Sequence, residues 1–269
     1  MHRSLFFFLS PDIDKTGLSA ENKITYPDGR NRPGRKKDFF MYNHKIETHL
    51  HTCTVSKCGH LNAKTLIPAY KEAGYEGICV TDHYNRNTVD YLKLDLSRKD
   101  GLLEQFLRGY DEMCEEGAKY GIRIYRGAEL RFDECENDYL FYNWPDDLLR
   151  DMDKIMKMSI VEFSRLARET DAFLFQAHPY RKKCTPAIAC YLDGLEVYNG
   201  NPRHDSHNER AREYADQFGL IALAGSDCHQ TPDIACAGIC TEELPANDAE
   251  LVSLIRAKEF ELMIPTAED

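Results

Sequence analysis

The segment Glu47-Thr48-His49-Leu50-His51-Thr52, taken with Asp227-Cys228-His229 near the other end of the chain, restricts the possible folds more than any other feature. In an extended strand, residues i and i+2 point to the same face. An H-x-H or D-x-H pair therefore sends two metal-capable side chains into one space. Two such pairs, separated by most of the chain, can serve one site only if the fold gathers strand ends together. The pattern reads as a polynuclear metal site built on strand ends.

From Lys45 onward, short apolar runs alternate with amphipathic stretches. Strands are predicted at 45–49, 77–81, 122–129, 139–142, 173–177, 195–198 and 220–224. Helices are predicted at 62–73, stopped by Gly74, and at 102–120, 159–169, 207–217 and 248–258. Alternation of this kind, with no internal repeat, predicts a parallel sheet closed or nearly closed into a TIM-like α/β barrel. In such barrels function gathers at the C-terminal ends of the strands. His49 and His51, Asp82 and His83, Glu129, His178, and Asp227 with His229 all follow predicted strands. Five of the ten histidines lie there, too many to treat each as an isolated surface residue.

The 269 residues, 42% of them hydrophobic, suffice for one barrel-type domain, which takes about 200 to 250 residues. A net charge of -11 argues against general affinity for nucleic-acid backbones, which rests on clustered Lys and Arg, so nucleic acid is an unlikely partner. The ten cysteines form no C-x-x-C pair and read as reduced thiols, which predicts a cytoplasmic protein. No apolar run reaches the ~20 residues of a membrane span, and the run 5–9 is too short for an export signal, so no membrane partner is expected. Residues 10–38 are rich in Pro, Gly, Asn, Asp and Lys without periodicity. Residues 1–40 are therefore expected to be a weakly ordered, dispensable extension or the product of an upstream start, and 41–269 the catalytic domain.

The ordered motifs E-T-H-L-H-T, V-T-D-H, G-A-E-L, A-H-P, L-E-V-Y-N and A-G-S-D-C-H resemble the polymerase and histidinol phosphatase (PHP) family of metal-dependent phosphoesterases. The resemblance implies a distorted (β/α)7 barrel with two or three divalent ions at the C-terminal ends of its strands, and imidazole and carboxylate ligands suit Zn, Mn or Fe. It also implies that His49 and His51 share one ion with Glu129 and Asp227, that Glu129 bridges to a second ion bound by His178, and that His83 and His229 hold a third. Two positions depart from the family pattern. After the H-x-H pair the chain reads Val55-Ser56-Lys57-Cys58-Gly59-His60, leaving Cys58, His60 or neither as the next ligand. A family histidine is replaced by Asp138, which can ligate as a carboxylate.

Paired divalent ions lower the pKa of a shared water to about 7 and stabilise phosphoryl oxygens. The expected reaction is hydrolysis of a small phosphorylated substrate, phosphomonoesters foremost, by a hydroxide bridging the ions. Asp227 and His229 are the candidates for moving its proton. Arg181, Asn199 and Arg203 are candidate substrate contacts, since guanidinium forks match phosphate oxygens, with Lys57 and His204 as further possibilities. Plainer readings make Asp82 an orienting partner of His83, Cys58 a small buried loop residue, and 133–136 a solvated acidic loop. Competing functions are a phosphodiesterase or exonuclease, an amidohydrolase acting on C–N bonds, and a metal-stabilised module without turnover.

Overall fold

The computed structural model describes residues 42–265; the expected extension at 1–40 lies outside the described residues. The strands are β1 His44–Leu50, β2 Tyr75–Val80, β3 His83–Tyr84, β4 Arg123–Arg131, β5 Asp138–Tyr142, β6 Phe173–Gln176, β7 Gly194–Asn199, β8 Ile221–Gly225, β9 Gly238–Thr241 and β10 Phe260–Met263. They form one sheet in the order β10-β9-β1-β2-β4-β5-β6-β7-β8, with β3 continuing beside β4. The two sides of the sheet meet where Leu50 bridges Cys228 in parallel. There His51 N donates to Cys228 O at 3.0 Å, and Cys228 N donates to His49 O at 3.1 Å. The result is the expected distorted, nearly closed barrel. Gly225 permits the closure: a Cβ there would stand 2.6 Å from His49 Cβ.

The sheet is not wholly parallel. β1–β2, β2–β4, β6–β7 and β7–β8 run parallel, whereas β5 is antiparallel to both β4 and β6. The cause is connection length. Only residues 132–137 join β4 to β5, and a parallel crossover needs about a dozen or more. β9 and β10, absent from the sequence reading, extend the sheet, β9 antiparallel to β1 and β10 antiparallel to β9.

Local signals set most helix ends. Asn62 accepts from Thr65 N at 3.2 Å to start the helix Ala63–Glu72, and Gly74 leaves it with φ +79°. Ser159 and Glu162 form a capping box before Ile160–Ala167. The single helix expected at 102–120 is instead two, Leu102–Phe106 and Arg108–Tyr120. The break lets Leu102, Leu103 and Phe106 pack with Tyr84 and Trp144 while Met113 packs with Tyr70 and Ile78. Strands β1, β2, β4, β5, β6 and β8 contribute to a further cluster containing Ile46, Cys79, Tyr125, Leu140, Phe175 and Leu223. Burying each such large side chain contributes roughly 1.5–3 kcal/mol, giving the strand ends a rigid floor. Among the described residues no helix is long and apolar enough to cross a membrane.

Candidate metal centre

The end of β1 carries His49 and His51, both fully buried. Glu129 reaches them from β4, with Oε1 3.3 Å from His49 Nε2 and Oε2 3.3 Å from His51 Nε2. Asp227, just past β8, places Oδ1 3.4 Å and 3.3 Å from the same two nitrogens. His178, following β6, sets Nε2 3.1 Å from Glu129 Oε1. His83 opens β3 in register with Glu129, and its Nδ1 stands 2.7 Å from Glu129 Oε2. His229 completes the group, with its ring stacked 4.2 Å from that of His51. The seven residues His49, His51, His83, Glu129, His178, Asp227 and His229 are thus brought together.

The fold orients these rings before any ligand arrives. Glu196 Oε1 lies 2.8 Å from His49 Nδ1, so that nitrogen donates to the carboxylate and Nε2 is aimed at the centre. Glu196 Oε2 accepts from His178 N at 2.9 Å and from Asn199 Nδ2 at 2.9 Å. His229 Nδ1 donates to Asp227 O at 2.9 Å, which turns its other nitrogen outward. Asp82 accepts from Thr52 N, Thr52 Oγ1 and Ser56 Oγ, each at 2.7 Å, and so fastens the loop after β1. Gly109 gives it room, since a Cβ there would lie 2.4 Å from Asp82 Oδ2. His178 and Asp227 adopt φ values of 27° and 50°, a left-handed backbone that costs a non-glycine residue about 1–3 kcal/mol and persists only where its surroundings enforce it.

The donor set fits divalent cations. Glu129 Oε2, His83 Nδ1 and Asp227 Oδ2 are buried without an aligned hydrogen bond, although polar atoms stand close by. His49 Nε2 and His51 Nε2 approach to 3.1 Å. Lone pairs crowded in this way need positive charge between them. Ligand atoms fall into three overlapping groups within metal-binding reach: His49, His51 and Glu129; His83, Glu129 and Asp138; and His51, His83 and His229. The electrostatics agree. Burial would raise the carboxyls of Glu129 and Asp227, but His83 and His49 beside the first, and His49 and Arg181 beside the second, hold both well below the usual range. Burial, aided by His229 and His83, pushes His51 well down and keeps it neutral. Burial would likewise lower His49, yet Asp227, Glu196 and Glu129 drive it well up. Imidazoles can answer buried carboxylates only by taking protons, whereas a divalent ion answers them outright.

Above the cluster opens a cavity of about 400 Å³. Asp138 reaches it from β5, gripped by Arg131 through Nε–Oδ1 at 2.7 Å and Nη2–Oδ2 at 2.5 Å, with Oδ2 3.9 Å from His178 Nε2. Arg181 sits on the wall with Nη2 2.7 Å from Asp227 Oδ2. Arg203 and His204 also line the cavity, but Arg203 is held by Asp233 at 2.9 and 2.8 Å. Asp233 Oδ2 in turn accepts from His229 N at 3.0 Å. Asn199 does not line the cavity: it is buried, with its amide spent on Glu196 and on Arg181 Nη2 at 2.8 Å. Lys57 is exposed and does not line the cavity either.

Cys58, expected to be a small buried loop residue, is instead exposed on the cavity wall. Partial enclosure would raise its thiol, but hydrogen bonds with His229 and His83 draw it down to about 6. Sequence reasoning did not single out Glu196 or Arg131. An acid inside the apolar run Leu195-Glu196-Val197 was the available signal for the first. Nothing local distinguishes Arg131 from other exposed-strand arginines.

The PHP domain family model matches residues 47–260 of the chain. Among solved structures, the chain is similar to a two-domain protein from Bacteroides vulgatus containing a predicted PHP-like metal-dependent phosphoesterase. That match has a TM-score of 0.60 at 16% identity and covers 92% of this chain and 70% of the other. PsfC from Pseudomonas syringae matches with a TM-score of 0.54 at 14% identity, covering 84% of this chain and 92% of the other. The lesion-specific endonuclease PfuEndoQ from Pyrococcus furiosus matches with a TM-score of 0.51 at 13% identity, covering 81% of this chain and 57% of the other. No curated protein matches the sequence. At these identities the structural likeness establishes the fold.

Proposed function

The chain belongs to the PHP domain family, and from that premise we propose that it is a metal-dependent phosphoesterase acting on small phosphate esters, phosphomonoesters foremost. The observation that carries this reading is the convergence of His49, His51, Glu129, His178 and Asp227 on one point beneath a solvent-open cavity. His49, His51, Glu129 and Asp227 would hold one ion; Glu129, His178 and Asp138 would hold a second; His83 and His229 would hold a third. Zn, Mn and Fe all suit imidazole and carboxylate donors. Bound divalent ions supply activation of water near neutral pH and neutralisation of phosphoryl charge.

The protein's own groups perform the remaining tasks. Glu196 fixes the tautomer and aim of His49 while anchoring the His178 backbone, so two ligands from different strands share one support. Asp227 Oδ2, beside Arg181 Nη2 at 2.7 Å, would accept a proton from the attacking water, and His229 on the cavity wall would pass one on. Arg181, held by Asn199, presents a guanidinium beside Asp227 where equatorial phosphoryl oxygens would gather charge. Asn199 acts here as a positioning residue. Arg203, Lys182 and Lys183 at the mouth favour an anionic substrate in a chain whose net charge is -11. A cavity of about 400 Å³ matches a small ester and lies at the lower end of ligand pockets, about 300–1,000 Å³.

The test combines metal analysis of purified protein with a substrate panel of phosphomonoesters, phosphodiesters, oligonucleotides and amides. Phosphate release from a small monoester, abolished by a chelator and restored by Zn, Mn or Fe, is the expected result. Turnover confined to oligonucleotides or to C–N bonds would overturn the proposal.

A further inference from the structure

We propose that Cys58 supplies a thiolate ligand to a cation held with His83 and His229, which makes the outer part of the centre a mixed sulfur and nitrogen site. The inference rests on the metal-dependent reading above and adds a ligand that departs from the family pattern.

Three observations place the thiol. Ligand atoms of His51, His83 and His229 lie within 4.8 Å of one another, which gives three imidazoles around one volume. Cys58 lines the same cavity as His83 and His229, two members of that trio. Beside this trio Glu129 Oε2, fully buried, and His83 Nδ1 face each other at 2.7 Å without hydrogen-bond alignment, as ligand atoms do around a shared cation.

The loop that carries Cys58 is fastened on both sides. Ser56 Oγ donates to Asp82 Oδ1 at 2.7 Å, Gly59 N donates to Ser56 O at 2.9 Å, and His60 N donates to His229 O at 2.8 Å. Gly59 packs so closely that a Cβ would stand 2.7 Å from Thr52 O. Cys58 therefore sits between anchors tied to a neighbour of one ligand and to the backbone of another. His60, the other candidate in this segment, binds His229 through its main chain. A thiolate with two or three imidazoles is a tetrahedral donor set, and its softness favours Zn, Co or Fe over Mn or Mg.

Cobalt(II) supplies the test, because a cobalt–thiolate bond produces a near-ultraviolet charge-transfer band that nitrogen and oxygen ligands do not. The full-length protein is stripped with a chelator and titrated with Co(II), with bound metal counted in parallel. The wild-type protein is expected to show the band. Cys58→Ser is expected to lose it while Cys184→Ser and His60→Ala retain it; Cys184 is the necessary control because its Sγ lies 3.9 Å from His178 Nδ1. Cys58→Asp, which restores a hard ligand, is expected to recover bound metal without the band, and to shift preference from Zn toward Mn. Cobalt bound in full with no band, or a band that survives Cys58→Ser, overturns this assignment and leaves the phosphoesterase reading intact. A protein that binds no cobalt overturns both.

Discussion

His49, His51, Glu129 and Asp227 meet in a corner where none is more than 1% exposed, whereas Cys58, Arg181 and Arg203 hang on loops around a cavity open to solvent. The corner is built from strand ends and leaves little unspecified: Glu196 holds one ring, the backbone of Cys228 just past β8 holds the end of β1, and Gly225 admits the close approach. The rim is built from connections, and its charges pair with one another, Arg131 with Asp138 and Arg203 with Asp233. Burial explains the difference. A carboxylate without water must have every neighbour arranged for it, while a solvated arginine tolerates several partners. The corner should therefore govern whether the inner ions bind, and the arginines of the rim which substrate is accepted.

The largest effect expected from that division belongs to Glu129→Gln. It removes the carboxylate that reaches His49, His51, His83 and His178, and leaves Asp227 alone between the first two. Bound metal should fall by more than the ~100-fold that loss of an outer supporting group can cost, with phosphate release at background. Plasma emission counting of bound ions checks it, and a variant retaining full metal would move Glu129 out of the corner. Next comes Glu196→Gln, which keeps the shape but weakens the hold on His49. A loss of about 10–100-fold in metal affinity is expected, read by chelator competition. Unchanged affinity would mean that packing alone aims the ring.

On the rim, Arg203→Ala is expected to raise KM about tenfold, the worth of one charged hydrogen bond at ~1.5 kcal/mol, with metal content almost unchanged. The Asp233 link to His229 N sets up the alternative. If metal content falls in step with activity, Arg203 serves the corner through Asp233 and the division drawn above is too sharp.

How far each region could be read in the sequence follows from the same contrast. His49 and His51 announce themselves because strand parity is a local property, and the ligands at the ends of β4, β6 and β8 fall at strand ends for the same reason. Recognition of ordered motifs then supplied the family, which the domain match over 47–260 bears out. Glu196 went unremarked because its partner His49 is distant in sequence and no spacing rule joins them. The reversal at β5 and the break before Arg108 reflect chain path and the choice of core cluster rather than propensity. Cys58 was misplaced because the burial preference of its residue type says nothing about which way a fastened loop turns.

Asp248 lies away from both regions and shows what burial does to a carboxyl without imidazoles to answer it. It is half-buried at the start of the helix Asp248–Ala257, where its Oδ1 accepts from Arg126 N at 2.9 Å. Burial raises its pKa above the ordinary value of 3.8, with the Arg126 amide and charge only partly offsetting the rise. Glu129 and Asp227 move the opposite way because positive neighbours outweigh their desolvation. For a carboxyl raised in the folded state, the native chain binds more protons than the unfolded one above pH 3.8, so stability falls as pH rises through that window and then levels. Asp248→Asn removes the titration while keeping an acceptor for Arg126 N. Its advantage over the parent should be nil at the acid end and grow toward neutral pH, remaining smaller than the ~2–4 °C that about 1 kcal/mol gives a domain of this size. Thermal melts across that range decide it. An advantage that shrinks with rising pH would show that the helix end and the Arg126 amide favour the charged form more than burial opposes it.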